Sequence, residues 1–482
     1  MILALKSYKS IDKLKTSSFY HDDMIYWQSI PEIMWHYFIV NEKIFTDNTI
    51  KKLKNDKSIL EFNVDYDGLI PKTTEILPNN SNFNSQWALK NLGQYNGFPG
   101  VDTKATQAWM YEKGSFDIVV AVLDAGIDVD HECLLGHIFV DDSETVNEGF
   151  DNDSNGYKND FMGWNFEKNT FKSYSPSHGT AVASVITTNG NGMSGVAYRA
   201  RILPVNIMES MGAYDLIKTN FGFPCGERQP WEDVTINDYN VVPTARVAQG
   251  IIYSANKGAH IITLAYTHRN TAKVANCGTY PYSNYMPDVR DAIKYAGRQG
   301  CIVVTSAGDV STEMQVSFQS PAEGYRTYFE SGGGDGQGVS VTADMNCFPG
   351  SYSRYFNFLI NVTAHDNWGY LYSEKVLTSS GMSSYGGWMR GCCYGKSTVN
   401  IAAPGKDILV AQPDNSYGVG GGTSLSAGYV AGAAALIWSK NPYLSNVDVV
   451  NVLMSSATKT SYWANKVSCA GMLNIKTALE II

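Results

Sequence analysis

The sequence predicts a three-layer α/β fold, a mostly parallel sheet with helices on both faces, behind a small N-terminal region. Three observations predict it. Short β-branched, apolar runs recur after residue 100, at 118–123, 202–207, 260–264, 302–305, 359–363 and 399–402. Stretches of helical period lie between or after them, at 245–257, 288–298 and 426–440. That alternation is the pattern of parallel strands joined by crossover helices. Finally, 482 residues with 44% hydrophobic content suffice for one large core and a smaller second unit.

Taken in order, residues 1–78 are aromatic-rich and lysine-rich and carry no chemistry-bearing motif. The turn-rich link Pro78-Asn79-Asn80-Ser81-Asn82 separates them from a main domain over 79–482. The apolar run Met1–Leu5 is cut short by Lys6, too short for the core of a secretory signal. A formal charge of −9 leaves no basic footprint for nucleic acid. The apolar stretch Val430–Trp438 is too short to span a bilayer and reads as a buried helix. Eight cysteines are too sparse for a disulfide scaffold, although their even number permits bridges. Cys301 opens an apolar run and reads as a buried thiol.

Reactive groups gather at the carboxyl ends of parallel strands. Asp124 follows the run 118–123, His178 opens His178-Gly179-Thr180, and Ser424 lies between Gly421-Gly422-Thr423 and a helical stretch. Alone, each has an ordinary reading: a strand-end turn, a packed histidine, a helix N-cap. Together they are the three groups of a nucleophilic triad, in the chain order Asp, His, Ser. At these residues, and at Asp124-Ala125-Gly126-Ile127-Asp128 and Gly422-Thr423-Ser424, the chain resembles the subtilisin-like serine peptidases, the subtilase family. The resemblance runs over roughly 85–480, from Gln86-Trp87-Ala88-Leu89-Lys90-Asn91, which looks like the start of the mature domain in many subtilases.

The resemblance implies a serine endopeptidase acting on protein or peptide substrates as a monomer, in a secreted or lumenal setting and without an organic cofactor. Ser424 would be the nucleophile, His178 the base and Asp124 its orienting carboxylate. Residues 1–78 would be a pro-region that blocks the cleft until it is cut; the plain alternative is an N-terminal extension. The strand through Leu264, Ala265 and Tyr266 resembles the one lining the substrate cleft, with Thr267 at a usual glycine position, and Ser306 and Gly308 fall on a second such segment.

Two departures from the family pattern stand out. Asp309 occupies the oxyanion-hole position where the family carries asparagine. A carboxylate accepts hydrogen bonds and does not donate them, so the sequence suggests an optimum displaced toward acid pH. Gly428-Tyr429 stands where the family usually carries Pro-His, and the glycine reads as loosening the nucleophile's helix. These departures favour the alternative of a catalytically weakened pseudopeptidase serving as a binding or regulatory module.

The segment Asp151-Asn152-Asp153-Ser154-Asn155-Gly156-Tyr157-Lys158-Asn159-Asp160 repeats the opening of a calcium-binding loop. Asp151, Asp153, Asn155, Tyr157 and Asp160 are its candidate ligands for a structural calcium ion. Solvated aspartates in a turn are the plainer reading. Gly-, Tyr- and Asn-rich stretches at 208–242, 267–286 and 310–350 read as long loops.

Overall fold

The computed structural model describes residues 2–7, 9–20, 24–30, 34–39, 47–65, 75–145, 149–171, 177–208, 243–266, 286–310, 316–317, 326–327, 339–340, 349–376 and 388–482. The three stretches expected as long loops fall almost wholly outside these residues, as do Thr267, Cys225, Cys277 and Cys347. The chain forms two compact units, Met1–Thr74 and Glu75–Ile482.

The first unit runs β1 (Ile2–Ser7), α1 (Ile11–Leu14), β2 (Ile25–Ile30), β3 (Trp35–Ile39), α2 (Asp47–Asn55) and β4 (Ile59–Asp65). Its sheet order is β2-β3-β1-β4 with every neighbouring pair antiparallel. This is a split β-α-β arrangement made twice over. Leu3, Leu5, Leu14, Phe38 and Leu53 fill a core of its own.

The link expected at 78–82 packs within the second unit. Ile76 N–H donates to the Thr106 carbonyl, and the Asn80 amide donates to Ser194 Oγ at 2.9 Å. Lys90 pairs with Glu75. The turn-rich composition of this stretch therefore marks an anchored surface turn.

The second unit holds β5 (Val119–Asp124), β6 (Trp164–Asn165), β7 (Arg201–Asn206), β8 (Ile261–Leu264), β9 (Ile302–Ser306), β10 (Leu359–His365) and β11 (Ile401–Pro404). A hairpin, β12 (Ile408–Gln412) and β13 (Ser416–Gly420), and the short β14 (Thr458–Lys459) and β15 (Gly471–Met472) follow. The nine-stranded sheet has the order β14-β15-β11-β10-β9-β8-β5-β7-β6. All neighbours are parallel except β14 and β15.

Successive side chains leave a strand on opposite faces, so a strand apolar throughout needs cover on both. Val120, Val122, Ile302 and Val304 enter one core; Val119, Ala121, Leu123 and Val303 enter the other. The first core is closed by α3 (Ser177–Ile186) and α6 (Thr423–Lys440), the second by α4 (Thr244–Asn256) and α5 (Pro287–Arg298). This is the three-layer α/β architecture read from the sequence. The chain leaves β5 toward β7 and returns on its other side to β8, so a crevice opens at the carboxyl ends of β5 and β8. Among the described residues no helix is long and apolar enough to cross a membrane. Cys301 is a buried thiol donating to the Ala259 carbonyl, and burial pushes it up to about 12.

Candidate active site

Asp124 ends β5 with no exposed surface, and its Oδ1 accepts from the Ala125 N–H at 2.7 Å. His178 is the second residue of α3, with its side chain 46% exposed. Its Nδ1 donates to Asp124, 2.8 Å from Oδ2 and 3.0 Å from Oδ1. The neighbouring glycine permits the approach: a Cβ on Gly179 would stand 2.1 Å from the Gly126 carbonyl oxygen. The Asp124 charge, first, holds the imidazole above its ordinary range; partial burial opposes this, and Asp309 adds to it.

Ser424 is the second residue of α6, and the helix therefore begins at Thr423, three residues earlier than its periodicity suggests. From Thr423 to Trp438 every residue is buried except Ser424. Its hydroxyl is thus held at a helix start, open on one side. Oγ donates to the Ala265 carbonyl at 2.8 Å, just beyond the end of β8. Asp124 and His178 are brought together directly, while Ser424 reaches the crevice through Ala265.

Gly428 has a different role from the one its composition suggests. A Cβ there would lie 2.5 Å from Val185 Cγ2 and 3.3 Å from the Val182 carbonyl oxygen. Gly428 is where the helix of Ser424 presses against the helix of His178. Tyr429 is 2% exposed and packs into the first core, where burial pushes its phenol well above the ordinary range.

Asp309 follows β9 and turns its carboxylate onto the start of α6. Oδ1 accepts from the Thr423 N–H at 3.0 Å and from the Cys392 thiol at 3.2 Å. Beside it, the Gly308 N–H donates to Thr423 Oγ1 at 3.1 Å. The carboxylate thus accepts one of the otherwise unpaired N–H groups at the start of the helix. Its charge also raises His178, which must be neutral to act as a base. That contribution runs against the acid-shifted optimum expected from the sequence. Of the other cleft residues, Leu264 and Tyr266 bury their side chains in the second core, and Ser306 is buried at the end of β9. Among these, Ala265 meets the nucleophile, its carbonyl accepting from Ser424 Oγ.

The acidic loop closes differently from the ligand set expected. Asp151 takes the N–H groups of Asn155 and Gly156, and Asn155 Oδ1 takes that of Tyr157. Tyr157 packs its ring on Trp164, Phe166 and Tyr253. What converges instead is Glu144, Asp153 and Asp160, with ligand oxygens all within 4.8 Å of one another. Glu144 Oε2 and Asp160 Oδ1 are buried with no hydrogen-bond partner among the described residues. Hard, anionic oxygens left open in this way fit a calcium ion. Sequence spacing missed Glu144 because it precedes the loop, and missed Lys257, whose Nζ lies 2.9 Å from both Asp153 and Asp160.

The subtilase family profile matches residues 115–470. The chain is 27% identical over 421 residues to the "Thermophilic serine proteinase" of Bacillus sp. (strain AK1), covering 84% of this chain and 75% of that one. It is 24% identical over 370 residues to "Thermitase" of Thermoactinomyces vulgaris, covering 75% and 89%. To "Subtilisin-like protease 1" of Plasmodium berghei (strain Anka) it is 25% identical over 367 residues, covering 75% of this chain and 49% of the relative, about half that protein's length. With the family profile spanning most of its length, the chain belongs to the subtilase family.

Proposed function

We propose that the chain is a serine endopeptidase that hydrolyses peptide bonds through Asp124, His178 and Ser424. The observation that carries this reading is the Asp124–His178 bond at 2.8 Å, with Ser424 the one residue left open along a buried helix start. Ser424 Oγ turns from the Ala265 carbonyl toward the imidazole, gives up its proton to His178 and attacks the substrate carbonyl. Asp124 fixes the imidazole tautomer and stabilises its charged form. The acyl-enzyme is then hydrolysed with His178 as base. Asp309, already engaged with the Thr423 N–H, leaves the developing oxyanion to backbone donors at the start of α6.

Hydrolysis of an internally quenched peptide library tests this. Ser424→Ala or His178→Ala lowers kcat/KM by roughly 10⁴ or more if the triad acts as a unit. A loss under tenfold in both variants removes the proposal.

The first unit serves, in this reading, as an inhibitory pro-region; its separate fold and core support an autonomous module. In this reading the protein works in a secreted or lumenal setting, a proposal supported by its membership of the family. Calcium, held by Glu144, Asp153 and Asp160, would tie residues 141–145 and 149–160 to one another beside α4.

A further inference from the structure

The carboxylate cluster already contains a cation. Lys257 follows the last turn of α4 with its side chain only 5% exposed. Its Nζ lies 2.5 Å from Asp141, 2.9 Å from Asp153 and 2.9 Å from Asp160. The same Asp160 Oδ2 also accepts from the Tyr253 hydroxyl at 2.9 Å and the Asn155 amide at 3.0 Å.

Charge does not close, however. Three carboxylates, those of Asp141, Asp153 and Asp160, meet the one ammonium, and Glu144 adds a fourth negative charge beside Asp153 and Asp160. The two oxygens that remain open, Glu144 Oε2 and Asp160 Oδ1, are buried and unpartnered among the described residues. Burying unpaired acceptors of this kind is costly, which leaves room for a second cation. That cation would share Asp153 and Asp160 with Lys257, at a separation where like charges repel strongly.

We infer that Lys257 is a built-in cation that shares this cluster with a divalent ion and weakens the cluster's hold on it. The inference rests on the calcium reading of Glu144, Asp153 and Asp160. The ammonium keeps the loop attached to α4 when calcium is scarce and sets the concentration at which calcium takes over. Through Tyr253 and Lys257 the cluster grips the end of α4, and the chain reaches β8, the strand that leads to Ala265, four residues after Lys257. Calcium occupancy would then be felt in the strand that meets the nucleophile.

Calorimetric titration with calcium chloride, on full-length chain carrying Ser424→Ala to prevent self-cleavage, tests this without any activity readout. After EDTA treatment, Lys257→Gln should melt at lower temperature than its parent, yet bind calcium at least about tenfold more tightly. Lys257→Arg keeps the charge and should bind like the parent. Glu144→Gln leaves Lys257 in place and should lose calcium binding. Equal or weaker calcium binding in Lys257→Gln overturns the inference while leaving the calcium site standing. Absence of binding in every variant at millimolar calcium overturns both. If Lys257→Gln does not fold, tight micromolar binding by the parent alone overturns the idea that Lys257 weakens the site, and weak millimolar binding lost in Glu144→Gln sustains it.

Discussion

Gly428→Ala separates two accounts of how the nucleophile is held. Helix propensity alone favours alanine over glycine by about 1 kcal/mol in a helix interior. If Gly428 only loosened α6, the substitution would stabilise the protein and sharpen the position of Ser424. The packing says the opposite. The new methyl would stand 2.5 Å from Val185 Cγ2, on a buried β-branched side chain with one strongly preferred rotamer, and 3.3 Å from a carbonyl oxygen of the same helix. Overpacking of this kind costs about 1–3 kcal/mol. The propensity gain offsets part of it, leaving a net loss of roughly 0–2 kcal/mol in urea unfolding. Relief comes from moving α3 away from α6, which moves His178 away from Ser424. A displacement near 1 Å can cost on the order of 10²-fold, so kcat should fall at least tenfold with KM little changed. Val185→Ala removes the clashing Cγ2 and should restore part of both losses in the double variant. A Gly428→Ala protein about 1 kcal/mol more stable, with unchanged kcat, would refute the reasoning.

In Asp309→Asn the negative charge that helps raise His178 is gone, so the acidic limb of the kcat/KM profile moves to lower pH, where base catalysis now begins earlier; a limb that stays put or moves up contradicts this. Asp124→Asn leaves the fold intact but presents the wrong partner to Nδ1, and turnover at neutral pH should fall by roughly 10⁴; a loss under tenfold would detach Asp124 from the chemistry. Gly179→Ala puts a methyl 2.1 Å from the backbone oxygen of Gly126 and should abolish soluble expression or activity outright. Chelation with EDTA should lower the melting temperature of the full-length chain, and added calcium should restore it; no shift in either direction removes calcium from the account.

The sheet was legible because its strands are apolar on both faces and announce themselves as β-branched runs; Asp124 was legible because it terminates one. His178-Gly179 and Gly422-Thr423-Ser424 were equally visible, and the crevice between β5 and β8 brings Asp124 and Ala265 to one edge. What escaped depends on partners distant in sequence. Gly428 looks permissive until Val185 and Val182 are seen against it. Leu264 and Tyr266 lie on the expected strand, yet the pleat sends their side chains into the second core. The acidic loop shows a spacing of oxygens but not that Asp151 and Asn155 spend theirs on backbone N–H groups. Nor can local spacing show that Glu144 and Lys257 arrive from either side. Asp309 was visible as a departure, whereas its engagement with Thr423 and Cys392 required the fold.

Ser424 acts as a nucleophile activated by His178 and Asp124 in the proposed mechanism. A fluorophosphonate probe, applied to protein freed of residues 1–74 and followed by peptide mass mapping, addresses it most directly. Covalent labelling should be confined to the peptide containing Ser424, lost in Ser424→Ala and greatly slowed in His178→Ala. Absence of labelling at any pH, or labelling that persists in Ser424→Ala, would contradict it.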